Sequence, residues 1–128
     1  MKLVLFDIDG TLLWSDGAGR RAMENALLRV FGTTGDTSYR YDGKTDRQIA
    51  REQMREAGFT DAIISSRLDD LLNEYVHGLE KELMRDDTTP ARLCDGIPPL
   101  LDALRGHCDV TLGLLTGNIE RGARAKLN

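Results

Sequence analysis

Residues 3–13 read Leu-Val-Leu-Phe-Asp-Ile-Asp-Gly-Thr-Leu-Leu: four apolar residues, two aspartates spaced i and i+2, then Gly10 and Thr11. A short apolar run closed by a turn signal predicts a strand buried on both faces, the kind found in parallel α/β sheets. Side chains at i and i+2 of a strand project to one side. Asp7 and Asp9 therefore leave the carboxyl end of the strand together, with Ile8 turned away between them. Ligand crevices in open parallel sheets form at that end. Two converging carboxylates repel one another unless a cation or a shared proton compensates.

That pair suits phosphoryl transfer. One aspartate can attack phosphorus and form an aspartyl-phosphate. The other can protonate the leaving oxygen and then deprotonate water. Mg2+, which takes hard oxygen ligands, would offset the charge of phosphate and carboxylates together. Gly10 allows close backbone approach, and Thr11 can fix the loop through its hydroxyl.

A second strand-like run, Val-Thr-Leu-Gly-Leu-Leu-Thr-Gly-Asn at residues 110–118, ends in a hydroxyl, a glycine and an amide. A helix-like stretch follows from about Ile119. Thr116, Gly117 and Asn118 thus precede a helix start, where unsatisfied N–H groups and the positive dipole end favour a phosphate.

The string Asp7-Ile-Asp9-Gly-Thr after an N-terminal strand resembles the first motif of the haloacid dehalogenase-like (HAD) hydrolase superfamily, and Thr116 matches its second motif, a strand-terminal Ser or Thr. The resemblance implies a Rossmann-like parallel-sheet core, a Mg2+ cofactor, Asp7 as nucleophile and Asp9 as general acid/base. It also implies metal ligation through the Asp7 side chain and the Asp9 backbone carbonyl, with Thr116 binding the phosphoryl group. The family's third motif is a lysine, usually well downstream, and its fourth is an acidic cluster. Lys126 is the only lysine after Thr116, ten residues on in a predicted helix, and is not assigned the third-motif role. With only two core strands in view, the chain reads as the N-terminal part of a longer protein.

Between the motifs the pattern is helical. Ala22, Met23, Ala26, Leu27 and Val30 follow helical spacing up to Gly32, and Thr45 or Asp46 opens a helix with Ile49, Ala50, Met54 and Ala57. Thr60-Asp61 opens a longer helix striped by Ile64, Leu68, Leu71, Leu72, Tyr75, Leu79 and Leu83, broken by residues 86–90. Residues 17–87 read as an all-helical insertion, and 1–16 with 88–128 as the partial α/β core. An insertion placed directly after the first motif is similar to the cap of phosphoglycolate phosphatases and β-phosphoglucomutases. The string Gly43-Lys44-Thr45-Asp46 resembles a specificity loop of that branch. Lys44 or Arg47 can meet an anionic substrate group there, or simply flank a helix cap as solvated charges. Arg20 and Arg21 read as solvent-facing, His77 as a bundle-surface residue, and His107 as part of the turn before the second strand. Trp14 reads as a hinge or packing residue.

The 128 residues carry a net charge of −4, which argues against nucleic-acid or membrane-surface binding. No apolar run approaches the ~20 residues of a membrane span. Cys94 and Cys108 lack metal or redox spacing and read as buried thiols of a reducing, cytoplasmic compartment. The expected activity is Mg2+-dependent hydrolysis of a small phosphorylated metabolite, phosphoglycolate-like by resemblance. The alternatives are a sugar-phosphate mutase using the same residues, or a non-catalytic phosphate-binding fragment.

Overall fold

Side chains alternate between the two faces of the first strand, and the structure, a computed structural model, shows that only one of those faces is covered. It describes residues 1–85 and 91–128. In chain order the elements are β1 (Lys2–Phe6), β2 (Leu13–Trp14), α1 (Ala18–Phe31), α2 (Asp46–Glu56), α3 (Asp61–Leu83), β3 (Arg92–Leu93), α4 (Ile97–Arg105), β4 (Val110–Leu114) and α5 (Glu120–Leu127). This is the mixed α/β architecture expected, with a parallel sheet and a set of helices inserted after the first strand.

β1 and β4 pair in parallel, from Lys2 opposite Val110 to Phe6 opposite Leu114. Both strands therefore end at the same edge, and the Leu115 N–H still donates to the Phe6 carbonyl at 2.8 Å. That register brings Asp7 and Asp9 beside Thr116. Phe6, Ile8, Leu12 and Leu13 pack with Ile97 of α4 and Ala123 of α5, with Val4, Leu101 and Leu104 at the margin. The opposite face differs from the expectation of a strand buried on both sides: Leu3 is 62% and Leu5 47% exposed. β1 has one parallel neighbour, and no element of the described chain lies over Leu3 and Leu5.

The loop after β1 is tight. The Ile8 carbonyl accepts from the N–H groups of Thr11, Leu12 and Leu13, and the Gly10 N–H donates to the Leu13 carbonyl at 2.9 Å. Gly10 holds φ of 77°, a left-handed conformation open to glycine. A Cβ there would also press on the Trp14 ring at 3.3 Å. β2 and β3 then form a two-residue antiparallel pair that ties the start of the insertion to the chain's return.

The helices begin where the sequence signals them. The Thr45 hydroxyl accepts from the Gln48 N–H at 3.1 Å, and the Thr60 hydroxyl from the Ile63 N–H at 3.3 Å, so each is an N-cap. Ala22, Met23, Ala26 and Leu27 of α1 meet Ile49, Ala50 and Met54 of α2 and the Ile64-to-Leu79 stripe of α3 in one apolar cluster. Residues 86–90, expected to end the helical insertion, lie outside the described residues. α5 bridges the two clusters: Ala123 packs in the sheet's cluster, while Ile119 and Ala125 pack on the helical one. Cys108 is exposed and Cys94 half-buried, so the two thiols are not both interior as expected. Among the described residues no helix is long and apolar enough to cross a membrane.

Leu71 is fully buried at the centre of the α3 stripe, whereas Ile63 on the same helix is 37% exposed. Leu71→Ala is expected to lower unfolding stability by about 2–5 kcal/mol and Ile63→Ala by well under half of that, measured by urea denaturation.

Candidate active site

The strand ends open into a cavity of about 890 Å3 lined by Asp7, Asp9, Trp14, Thr116, Gly117, Asn118 and Lys126 on the sheet side, and by Arg20, Tyr39, Tyr41 and Lys44 on the helical side. The volume falls within the range of small-molecule sites.

The two aspartates differ in their surroundings. Asp7 Oδ1 accepts from the Ile8 N–H at 2.8 Å, and among the described residues the carboxylate has no other donor. Asp9 is held from two sides. Its Oδ2 accepts from Asn118 Nδ2 at 2.9 Å, and both oxygens accept from Lys126 Nζ at 2.9 Å. The same ammonium donates to Asn118 Oδ1 at 2.7 Å, so all three of its protons are used within the site. The Lys126 side chain is 4% exposed and that of Asp9 46%, so the cation is the buried partner. Lys126, set aside on sequence grounds because it follows Thr116 so closely, is thus the cation of the site. The readable signal was its helix face: Gly122, Ala123 and Lys126 are the buried positions of α5, at i, i+1 and i+4.

The Thr116–Asn118 turn is organised around one hydroxyl. Thr116 Oγ1 accepts from the Asn118 N–H at 3.1 Å and from Asn118 Nδ2 at 2.7 Å. The Gly117 N–H has no acceptor among the described residues and is available to an anion. Gly117 is also a point of close approach between the two halves of the molecule. A Cβ there would overlap the Lys44 carbonyl oxygen, so only glycine lets the loop before α2 lie against this turn.

Asp46, the first residue of α2, makes that approach specific. Its N–H donates to the Gly117 carbonyl at 2.9 Å, and its Oδ2 accepts from the Ile119 N–H at 2.8 Å. Burial pushes the Asp46 carboxyl above its ordinary range, and the Asp9 charge adds to this. The Ile119 N–H and the Lys126 charge oppose it. Tyr75 of α3 lies close by, its phenol pushed up by burial and then by the Asp46 and Asp9 carboxylates.

Lys44 lines the cavity, but its ammonium is engaged: it donates to the Tyr39 hydroxyl at 2.7 Å and to Glu52 at 3.1 Å. These two bonds raise its pKa. Arg47 is exposed and does not line the cavity, because the first turn of α2 carries it away from Asp46. Arg20 is half-buried rather than solvent-facing. Its guanidinium donates to the carbonyls of Tyr39 and Thr37 and to Glu24, and stacks 4.4 Å over the Tyr41 ring. Burial pushes the Tyr41 phenol up to about 12. Arg21 likewise turns inward along the bundle to bond Glu82 at 2.8 Å.

Among the described residues, no group of three or more His, Cys, Asp or Glu side chains is arranged to hold a metal ion. The carboxylates of Asp7 and Asp9 are hard oxygen donors of the type Mg2+ takes, and that of Asp7 is the more open of the two.

No family model and no curated protein matches the chain. Among solved structures it is similar to the crystal structure of a HAD hydrolase, family IA, variant 3, from Entamoeba histolytica HM-1:IMSS. The TM-score is 0.61 and the identity 22%, over 98% of this chain and 53% of that one. The likeness is one of fold: the parallel strand pair with helices inserted after the first strand matches a HAD-like arrangement. The chain spans about half the length of the protein it resembles.

The Tyr39–Lys44–Glu52 cluster yields a pH prediction. Hydrogen bonds from Tyr39, then Lys44 and Gln48, hold the Glu52 carboxyl down at about 2, against an ordinary value of 4.5. A depressed carboxyl stabilises the fold above its ordinary value, and that contribution is lost as pH falls from 4.5 toward 2. A 13C-detected titration is expected to place the Glu52 midpoint near 2 and to move it toward 4.5 in Tyr39→Phe.

Proposed function

We propose that the protein is a phosphoric monoester hydrolase of the HAD type, working through an aspartyl-phosphate on Asp7. The observation that carries this reading is the asymmetry of the carboxylate pair. Among the described residues, Asp7 opens to the cavity with only the Ile8 N–H upon it, while Asp9 is clamped by Lys126 and Asn118. An unencumbered carboxylate is the better nucleophile, and a held one keeps a fixed position beside it.

In the first half-reaction an Asp7 oxygen bonds to phosphorus as the bond to the ester oxygen breaks, and Asp9 gives that oxygen its proton. In the second, water bonds to phosphorus, Asp9 takes its proton, and the bond from phosphorus to Asp7 breaks to release inorganic phosphate. Thr116 and the Gly117 N–H bind the transferring oxygens, and the Lys126 ammonium lies where it offsets their charge. The Asp7 carboxylate and the Asp9 backbone carbonyl would hold Mg2+, which would supply further neutralisation of the charge on phosphate and carboxylates. The substrate is a small phosphorylated metabolite such as phosphoglycolate. Its organic part faces Arg20, Tyr39, Tyr41 and Lys44, and the compartment is the cytoplasm.

Asp7→Asn is expected to abolish phosphate release from p-nitrophenyl phosphate while leaving the circular dichroism spectrum unchanged. Phosphate release persisting at the parent rate would remove Asp7 from the nucleophile role. Lys126→Ala is expected to lower kcat/KM by about 100-fold or more, because Asp9 and Asn118 lose the ammonium that holds them and the phosphate loses a nearby positive charge. A loss under about threefold would remove Lys126 from the reaction.

A further inference from the structure

Asp46 belongs to the helical insertion, yet its carboxylate serves the sheet side of the molecule. The Ile119 N–H that it accepts at 2.8 Å is the N-cap amide of α5, and α5 offers that amide no side chain of its own. At the other end of α5 stands Lys126, whose ammonium meets Asp9 and Asn118. α5 runs only from Glu120 to Leu127, about two turns, so a tilt at its start displaces Lys126 directly. The contact is reinforced by the Asp46 N–H on the Gly117 carbonyl, and it exists because Gly117 has no Cβ to strike Lys44. The lysine is hemmed in from the helical side as well: a Cβ at Gly19 of α1 would stand 3.2 Å from Nζ and 3.8 Å from the Tyr75 hydroxyl.

We infer that Asp46 is a positioning residue that couples closure of the helical insertion to assembly of the phosphate site. By capping α5 across the interface it fixes the Thr116–Asn118 turn and sets Lys126 against Asp9. With the insertion apart from the core, the Ile119 amide loses its acceptor, α5 loses its cap, and the lysine loses its register. The role of Lys126 in this coupling rests on the phosphoryl-transfer reading above; the tie between Asp46 and α5 does not.

The test compares Asp46→Ala, Asp46→Ser and Asp46→Asn in the full chain. Asn keeps an oxygen acceptor at the same reach without the charge, Ser is too short to reach Ile119, and Ala has no acceptor. Amide exchange at Ile119, read by 1H–15N NMR, is expected to quicken about tenfold or more in the Ala and Ser variants and to stay near the parent rate in Asn. With p-nitrophenyl phosphate, kcat is expected to fall about tenfold or more in Ala and Ser, with KM within about twofold, and Asn is expected to restore most of the loss. Unchanged exchange at Ile119 in both Ala and Ser overturns the tie. Exchange that quickens while kcat holds overturns the coupling, as does an Asn variant as impaired as Ala. If the parent chain releases no phosphate, the hydrolase reading fails and the exchange rates alone decide the tie.

Discussion

A buried ammonium must be met by acceptors on every side, and Lys126 is the point at which that requirement organises this molecule. Its protons reach Asp9, which follows β1, and Asn118, which follows β4. The ion pair therefore joins the first strand, the turn after the last strand and the final helix in one place. Without it Asp7 and Asp9 would project from the same edge as two uncompensated charges. With it one carboxylate is neutralised and oriented, and the other stays open to the cavity.

The parallel register makes this meeting possible. Pairing Phe6 with Leu114 ends both strands together, so the Asp7–Gly10 loop and the Thr116–Asn118 turn face each other. The helical insertion closes over them from the far side. Its own stability comes from the apolar cluster of α1, α2 and α3, but its position is set by polar contacts at Asp46 and by the absence of a Cβ at Gly117. Interiors supply the free energy, while a few directional bonds choose the orientation.

The cationic side chains of the insertion divide by what holds them. Arg20 braces the Thr37–Tyr41 stretch through carbonyl oxygens, and Lys44 is drawn to Tyr39 and Glu52. The resemblance of residues 43–46 to a specificity loop suggested an anion contact at Lys44 or Arg47, with solvated charges flanking a helix cap as the alternative. A charged side chain near a cavity satisfies its nearest partners first, and for Lys44 those partners lie on the insertion itself. The exposed Leu3 and Leu5 carry a similar message. An apolar run predicts burial, but only neighbouring elements provide it, and β1 has one strand beside it.

Local chemistry determined what could be read directly. The apolar run that ends at Asp7, the Thr45 and Thr60 caps, the Gly10 turn and the α3 stripe are each complete within a few residues, so the sequence alone placed β1, β4, the helices of the insertion and the carboxylate pair, but not the two-residue β2 and β3. Thr116 was legible for the same reason, as a hydroxyl at a strand end. The partners of those groups were not. Lys126 and Asp9 are 117 positions apart, and Asp46 and Ile119 are 73 apart. No short-range pattern encodes such contacts. They exist because the register of two strands and the docking of a helix bring distant atoms within hydrogen-bonding distance, and only the tertiary structure sets that distance.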